Sequence, residues 1–241
     1  MNKLLLLFIV GFIGLAFRYL VLGKFELDQL LLLLSFPVGA ILIVFIMKRQ
    51  QNKDRTFQPG VDEIHMVTRL GDRVSEVPKQ LYDRQELLGS YKRFYNSRWK
   101  RVVADIMDSP GRWFLNLAFS SEDGNEIVLQ AKNDKPLRDT TEWLILFNDS
   151  EVGKIQMDYS VKNVASLKES LYLEYRNQTY HYTSFGIGAK TKISTNNHTI
   201  AEGERAELGN SIYAFDIDDT YKEDAEILFM GFVLFNYHFS Q

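Results

Sequence analysis

Two long apolar runs near the amino terminus constrain this chain more than any other feature of its sequence. The first covers residues 4–22, with Arg18 as its charged residue, and the second covers residues 30–47 without a charge. A helix of about 20 residues crosses the ~30 Å hydrocarbon core of a bilayer, and neighbouring groups can satisfy the carbonyl that Pro37 leaves free. The sequence therefore predicts a transmembrane helical hairpin over residues 1–47.

A secretory signal peptide over residues 1–22 is the competing interpretation, because Lys3 followed by an apolar stretch is how such peptides begin. However, no small-residue cleavage site follows Leu22, and a second apolar run comes at once. Lys and Arg are concentrated directly after that run, in residues 48–55, and such residues favour the cytoplasmic side. We therefore expect a multi-pass protein of the cell (inner) membrane with both termini in the cytoplasm.

The rest of the chain has the composition of a folded domain in water. Residues 48–241 contain 25 of the 28 Lys and Arg residues and 29 of the 31 Asp and Glu residues. Cysteine is absent, which excludes disulfide scaffolds, thiol catalysis and cysteine-bound metal clusters. The composition thus favours a membrane-tethered domain over a simple cytosolic enzyme.

The sequence predicts that residues 48–90 form a basic juxtamembrane linker that contains one short helix. The linker begins with a polar stretch that ends in Pro-Gly. Pro78 suits the first position of a helix, and Gly89 would end it. Between them, Leu81, Leu87 and Leu88 follow at near-helical spacing.

From about residue 91 the pattern changes to short strands. Aromatic and β-branched runs alternate with turn signals, and RWKRVVADIM, from Arg98 to Met107, is the first such run. The spacing predicts roughly ten strands of an antiparallel sandwich or barrel.

The last segment, AEILFMGFVLFNYHF, is apolar on every side. Thr220 and Glu223 have the spacing of a capping box, which predicts a helix that starts near Tyr221, although periodicity alone also allows one more buried strand. Such a helix is too short to span a membrane, so we expect it inside the β structure. The side chains assigned to the barrel interior are those of Ile227, Leu228, Phe229, Phe232, Val233, Leu234 and Phe235.

This succession of paired strands and a terminal apolar helix resembles the tubby C-terminal-like superfamily, which includes the LURP-one-related proteins and the phospholipid scramblases. The segments that carry the resemblance are EWLILFNDSEVGKIQMDY, SLYLEYRNQTYHY, NHTIAEGERAE and SIYAFDIDDTYKEDAEILFMGFVLF. The resemblance implies a mainly β fold, a closed antiparallel barrel of about twelve strands around the helix, over residues 91–241. Eukaryotic tubby domains bind phosphoinositide headgroups through basic residues, but no phosphoinositide or calcium ligand is carried over to positions of this sequence.

No catalytic or metal-binding motif emerges from the sequence. The histidines, His65, His181, His198 and His238, lack metal-binding spacing. Gly186 and Gly188 fail the phosphate-loop spacing and are assigned to a tight turn or barrel bend. The acidic residues 216–219 lack the glycine and the final glutamate of a calcium loop. We expect no enzyme, no metal and no cofactor.

The charge distribution is more informative than any motif. Residues 48–105 contain 13 Lys and Arg against 8 Asp and Glu, a net charge of +5, whereas residues 106–241 contain 12 against 21, a net charge of −9. The densest basic stretch, from Lys92 to Arg101, suits anionic lipid headgroups, although an ordinary solvated strand face has the same composition. The candidate headgroup ligands are Lys92, Arg93, Arg98, Lys100 and Arg101.

These patterns predict a non-enzymatic binding or scaffolding protein at the cytoplasmic face of a membrane. Its expected partners are anionic phospholipids or a membrane protein, and the net charge of −9 argues against nucleic acid. The alternative, implied by the scramblase resemblance, is a protein that moves or senses phospholipids.

Overall fold

The computed structural model describes residues 2–61, 63, 65–107, 111–133, 141–158, 168–185, 190–206 and 211–239. Within these residues the chain forms an amino-terminal helical hairpin and a closed antiparallel barrel of twelve strands with a carboxy-terminal helix. The fold class predicted from the sequence is therefore confirmed.

The hairpin consists of α1 (Asn2–Leu22) and α2 (Leu27–Arg55), and the predicted spans lie within these helices. By length and composition, both helices could cross a membrane. Most of their large apolar side chains are exposed, which is the surface that a lipid environment would cover. Arg18 and Glu26 form an ion pair of 2.6 Å at the turn between the helices.

The barrel closes because its first strand pairs with its last. Val67 lies opposite Ala214 in this antiparallel pair, so the sheet has no free edge at which another chain could add. The strands are β1 (Met66–Arg69), β2 (Lys79–Asp83), β3 (Glu86–Arg93), β4 (Leu117–Ser121), β5 (Glu126–Ala131), β6 (Glu142–Phe147), β7 (Ser150–Met157), β8 (Lys168–Tyr175), β9 (Gln178–Phe185), β10 (Thr191–Thr195), β11 (His198–Arg205) and β12 (Ile212–Ile217).

The two ends of the barrel differ in their connections. At one end, two-residue turns join successive strands, and the pairs Asn148–Asp149, Arg176–Asn177 and Asn196–Asn197 all have positive φ angles. Such turns match the twist of a hairpin, and Asn and Asp tolerate this conformation better than most residues. The longer connections lie at the other end, where α2 contacts the barrel.

Inside the barrel, α4 (Ala225–Phe239) provides the centre of the core. The seven side chains that the sequence assigned to the interior are at most 4% exposed. Each large apolar side chain buried in this way contributes about 1.5–3 kcal/mol. The Tyr182 hydroxyl also donates a hydrogen bond of 2.8 Å to the Leu228 carbonyl, which fixes the helix against β9.

The start of this helix differs from the prediction. A 3-10 helix (Asp219–Asp224) precedes α4, so the α-helix begins four residues after Tyr221. The cap is Asp218, whose side chain accepts a hydrogen bond of 2.9 Å from the Thr220 backbone N–H. This local turn replaces the predicted capping box, because short acidic side chains compete well for nearby N–H groups.

Positive side chains surround the carboxy-terminal end of α4. Arg73 donates a hydrogen bond of 2.9 Å to the Asn236 carbonyl. The fully buried Lys79 places its Nζ 5.7 Å from the centre of the Tyr237 ring. These cations stabilise the partial negative charge at the end of the helix.

The prediction of a linker with a short helix over residues 48–90 is wrong. Helix α2 continues to Arg55, and the barrel begins at Met66, not at residue 91. The expected helix is instead the hairpin of β2 and β3, which turns at Arg84 with a φ of 56°. Leu81 lies on β2 and Leu87 on β3, across the turn, so their near-helical spacing does not belong to one continuous element. A register shift after Leu81 also interrupts the strand alternation.

The prediction of a strand over RWKRVVADIM is also wrong. This segment forms α3 (Arg98–Ile106) in the connection between β3 and β4, and Ser97 precedes its first turn. Ala104 of α3 is buried, while Trp99 and Val102 are 48% and 47% exposed. The pair Val102–Val103 suits a strand as well as a helix, so periodicity alone did not separate the two.

Candidate functional site

The last turn of α2 is fixed to the rim of the barrel by Asp54. This carboxylate is 1% exposed, and it accepts hydrogen bonds from Arg69 Nε at 2.9 Å, from Gly71 N at 3.1 Å and from Asp72 N at 2.8 Å. A Cβ at Gly71 would lie 2.5 Å from the carboxylate, so a glycine is needed for this approach. The hairpin and the barrel therefore meet through a buried, charge-assisted contact.

A second set of contacts shapes the loop that follows β1. Gln51 donates a hydrogen bond of 2.8 Å to Asp72, whose other oxygen accepts the backbone N–H groups of Val74 and Ser75 at 2.9 and 3.2 Å. Burial opposes ionisation of Asp72, but the hydrogen bonds from Val74, Gln51 and Ser75 prevail and lower its pKa. The loop is thus held by an ionised carboxylate directly beside α2.

Helix α3 lies on the other side of this loop. Trp99 packs edge-on against Phe114, with ring centres 5.6 Å apart, and Lys100 Nζ lies 5.6 Å from the centre of the Phe114 ring. Because these contacts hold one side of the helix against the barrel, the side with Arg98, Arg101 and Val102 faces outwards.

Between α2, α3 and the loop after β1 lies a cavity of about 540 Å³, which we call the interfacial cavity. From α2 it is lined by Val44, Met47, Lys48 and Gln51, and from α3 by Arg98, Arg101, Val102 and Asp105. Val74, Ser75, Glu76, Tyr95 and Ser97 complete the wall. The cavity therefore lies at the level where α2 changes from apolar to charged.

The charged groups of the interfacial cavity have defined positions. Glu76 accepts a hydrogen bond of 3.3 Å from the Tyr95 backbone N–H, and its carboxylate lies 3.5 Å from Arg101 Nη1. Within the described part of the chain, Lys48 and Arg98 form no ion pair. Three cations thus border the cavity. Arg101 is paired with Glu76, but both side chains are about half exposed, so all three cations can contact a ligand that carries negative charge.

Tyr95, which follows β3 in the chain, supports the wall of the cavity. Its hydroxyl donates a hydrogen bond of 2.9 Å to the Val74 carbonyl, and Arg93 lies 4.7 Å from the centre of its ring. Burial raises the pKa of Tyr95 to about 12, so the phenol remains a neutral donor at physiological pH.

The structure separates the five basic residues that the sequence grouped together. Arg98 and Arg101 line the interfacial cavity, whereas Lys100 turns back towards Trp99 and Phe114. Lys92 is exposed on β3 outside the cavity lining.

Arg93 does not lie on the basic surface that the sequence predicted. Its side chain is fully buried, and Nη1 donates to the carbonyls of Arg73 at 2.7 Å and Gly111 at 3.0 Å, while Nη2 donates to the Trp113 carbonyl. The reason is strand alternation, because Tyr91 and Arg93 both point into the barrel and Lys92 points out. Arg93 is therefore a structural residue of the barrel.

Sequence reasoning missed Lys48, Glu76, Tyr95 and Asp105 as members of one site. Lys48 could have been found, since it is the first charge after the second apolar run. The other three are brought together only by α3 and by the loop after β1, neither of which was predicted.

The comparison with protein families decides the relationship of this chain. The family model for the Tubby C-terminal like domain matches residues 70–239. The chain belongs to this family. The match begins at Leu70, the residue after the end of β1, and therefore covers β2 to β12 and α4. No curated protein and no solved structure is significantly similar to the chain.

The tubby-like family is associated with lipid and phosphoinositide binding and is not generally enzymatic.

One cluster outside the cavity contains the residue types of a serine hydrolase. Ser170 Oγ and Asp158 Oδ2 lie 2.6 and 4.0 Å from the same atom, Nε2 of His181. A catalytic triad needs the carboxylate on the opposite ring nitrogen, so this cluster of the tubby-like domain has a different geometry.

The remaining sequence motifs are placed as follows. Among the described residues, no group of three or more His, Asp or Glu side chains could hold a metal ion. Gly186 and Gly188, which the sequence assigned to a turn, lie outside the described residues. His238 is buried beside Trp143 at the end of α4, with ring centres 5.6 Å apart.

Proposed function

We propose that this tubby-like protein is anchored in a membrane by α1 and α2 and binds the phosphate of a phospholipid headgroup in the interfacial cavity. The observation that carries the proposal is the position of the cavity. It lies at the point along α2 where the apolar Val44 and Met47 are followed by the charged Lys48. At the same level, α3 contributes Arg98 and Arg101 to the lining. A hydrocarbon tail would lie beside the apolar residues of α2 while the phosphate meets the cations.

The position that α3 would take relative to the bilayer supports this proposal. If α2 spans a bilayer, its first charged turn lies at the headgroups, and α3 borders the same cavity. The exposed Trp99 would then lie in the interfacial region, which tryptophan favours. The hairpin places both helix ends next to the barrel on one side, and the basic residues 48–55 favour the cytoplasm for that side.

The binding proposal is tested on the full-length protein in a phosphate-free maltoside detergent by native mass spectrometry. Short-chain dihexanoyl phosphatidylglycerol is titrated against dihexanoylglycerol, which lacks the phosphate. We expect phosphate-dependent binding that falls about ten-fold or more when Arg98 and Arg101 are both changed to Gln, and that weakens with salt.

The matched control is Lys92→Gln, which removes a cation close in sequence but outside the cavity lining. It should leave the affinity unchanged. Equal losses of affinity in Lys92→Gln and in the double variant would indicate that a diffuse basic surface, and not the cavity, binds the lipid. Unchanged binding in the double variant would overturn the proposal and favour a membrane-protein partner.

Anchoring and orientation are tested separately. Because the chain contains no cysteine, single cysteines can be introduced at Lys24 in the hairpin turn and at the exposed Asp123 in a barrel turn without background. A membrane-impermeant maleimide applied to intact cells should label Lys24→Cys alone. Labelling of Asp123→Cys would reverse the orientation, and labelling of neither position would contradict the spanning hairpin.

Movement of lipids is the second candidate, and the barrel itself offers little support for it. Helix α4 fills the interior, and its side chains from Ile227 to His238 are buried. Lipid movement would therefore have to take place along the hairpin. Leaflet exchange of a labelled phospholipid in vesicles containing the full-length protein tests this alternative.

A further inference from the structure

The interfacial cavity contains carboxylates as well as cations. Glu76 and Asp105 line it together with Lys48, Arg98 and Arg101. A site for a purely anionic group is weakened by carboxylates in its wall, because like charges repel at close range. The mixed lining instead complements a ligand that carries both signs of charge.

Glu76 is the carboxylate that is best placed to act on such a ligand. Its position is set by the Tyr95 backbone N–H, and its side chain remains 43% exposed. The neighbouring Arg101, at 3.5 Å, keeps a cation directly beside this carboxylate. A phosphate held by Arg101 and an ammonium held by Glu76 would thus occupy adjacent positions.

We infer that the cavity selects an aminophospholipid, a lipid whose headgroup joins a phosphate to a primary ammonium. This inference rests on the proposed function, since the phosphate contacts are those of Arg98, Arg101 and Lys48. Glu76 accepts hydrogen bonds from the ammonium, and Asp105, one turn along α3 from Arg101, adds a second negative charge to the same wall. Val44 and Met47 contact the start of the acyl chains.

The test uses three lipids that differ only in the substituents on the nitrogen, together with phosphatidylglycerol, whose headgroup has no nitrogen. The full-length protein is titrated by native mass spectrometry with dihexanoyl phosphatidylethanolamine, its N,N-dimethyl derivative, dihexanoyl phosphatidylcholine and dihexanoyl phosphatidylglycerol. Trimethylation keeps the positive charge but removes every N–H donor. We expect phosphatidylethanolamine to bind about ten-fold more tightly than phosphatidylcholine, with the dimethyl lipid in between.

Glu76→Gln should abolish this preference and leave the affinity for phosphatidylglycerol equal or higher. The matched control is Glu122→Gln, an exposed glutamate in a turn at the other end of the barrel, which should change nothing. Glycerophosphoethanolamine, which has no acyl chains, distinguishes a lipid from a free phosphate compound and should bind much more weakly.

Equal affinities for the whole nitrogen series would overturn the inference, and this measurement needs no variant. An equal loss for all lipids in Glu76→Gln would also overturn it, since Glu76 would then only position Arg101. Failure of the proposed function looks different. In that case the Arg98→Gln and Arg101→Gln double variant binds every lipid as the unmodified protein does.

Discussion

Asp54, in the last turn of α2, accepts a hydrogen bond of 2.9 Å from Nε of Arg69, the last residue of β1. The Asp54 side chain is 1% exposed and that of Arg69 is 12% exposed, so solvent screens this ion pair little. Gln50 adds a hydrogen bond of 2.8 Å from Arg69 Nη2. The helical hairpin is consequently joined to the barrel by a fixed contact and not by a flexible linker.

Replacing Asp54 with alanine should destabilise the barrel. The change removes the acceptor of Arg69 Nε and of the N–H groups of Gly71 and Asp72, and removing one partner of a buried pair costs about 3–5 kcal/mol. We expect a lower Tm in detergent and faster amide hydrogen exchange in residues 69–75. Asp28→Ala, at the exposed opposite end of α2, is the control, and an equal effect of both changes would contradict the role of the contact.

Arg93→Gln should destabilise the protein and Lys92→Gln should not, although the two residues are adjacent. Arg93 is buried and donates to three carbonyls, and each hydrogen bond from a charged donor contributes about 1.5–3 kcal/mol. We expect Arg93→Gln to lower the Tm strongly, while Lys92→Gln stays within about 0.5 kcal/mol of the original free energy of unfolding. Similar melting curves for the two variants would mean that Arg93 is not part of the core.

Gly231→Ala should destabilise the protein even though alanine favours helices. A Cβ at this position in α4 would lie 2.5 Å from the Tyr182 hydroxyl oxygen, and overpacking of a core costs about 1–3 kcal/mol. Gly14→Ala in α1 is the matched control, because no atom lies within 4 Å of its added Cβ. Thermal unfolding of both variants should show a lower Tm for Gly231→Ala alone.

His238 should make the stability of the barrel decline in mild acid. Burial, with a smaller contribution from the Arg112 charge, lowers the pKa of His238 to about 3, whereas the pKa of this side chain in the unfolded state is near the ordinary value of 6.5. The folded state therefore binds fewer protons than the unfolded state in this range. The contribution of the neutral His238 to the free energy of unfolding is fully present above pH 6.5. It is lost as the pH falls towards 3, at roughly 1.4 kcal/mol per pH unit.

The measurement is the free energy of unfolding at neutral pH and at about pH 5 for the original chain and for His238→Gln. We expect the original chain to lose more stability than the variant over this interval, since the carboxylates titrate in both. His198→Gln, an exposed histidine on β11, should behave like the original chain. Parallel losses in all three proteins would show that His238 does not titrate as its burial requires.

Much of the barrel could be predicted because its strands and final helix have local signals. The alternation in β5 and β6 buries Ile127, Leu129, Trp143 and Ile145, and the same alternation is visible in the sequence. The apolar segment from Ile227 was assigned to the interior because no other environment suits a short helix that is apolar on all sides.

The first three strands could not be predicted in the same way. Met66 to Arg69 is a short segment whose partners lie on β12, nearly 150 positions later, and closure of the barrel determines its conformation. The register shift in β2 interrupts the alternation, and the turn residue with a positive φ is Arg84 and not the Asn or Gly that usually signals a hairpin. Local preference is weak in such segments, and the long-range pairing prevails.

The sequence by itself determined the apolar hairpin, the closed β architecture and the helix within it, because each follows from hydrophobic patterning over a continuous segment. Only the tertiary structure decided which charged side chains a ligand can reach. Arg93 became a core residue and Arg98 a cavity residue, because one lies on an inward strand position and the other on the open side of α3. Burial and proximity are properties of packed elements, so the composition of the basic stretch could not distinguish them.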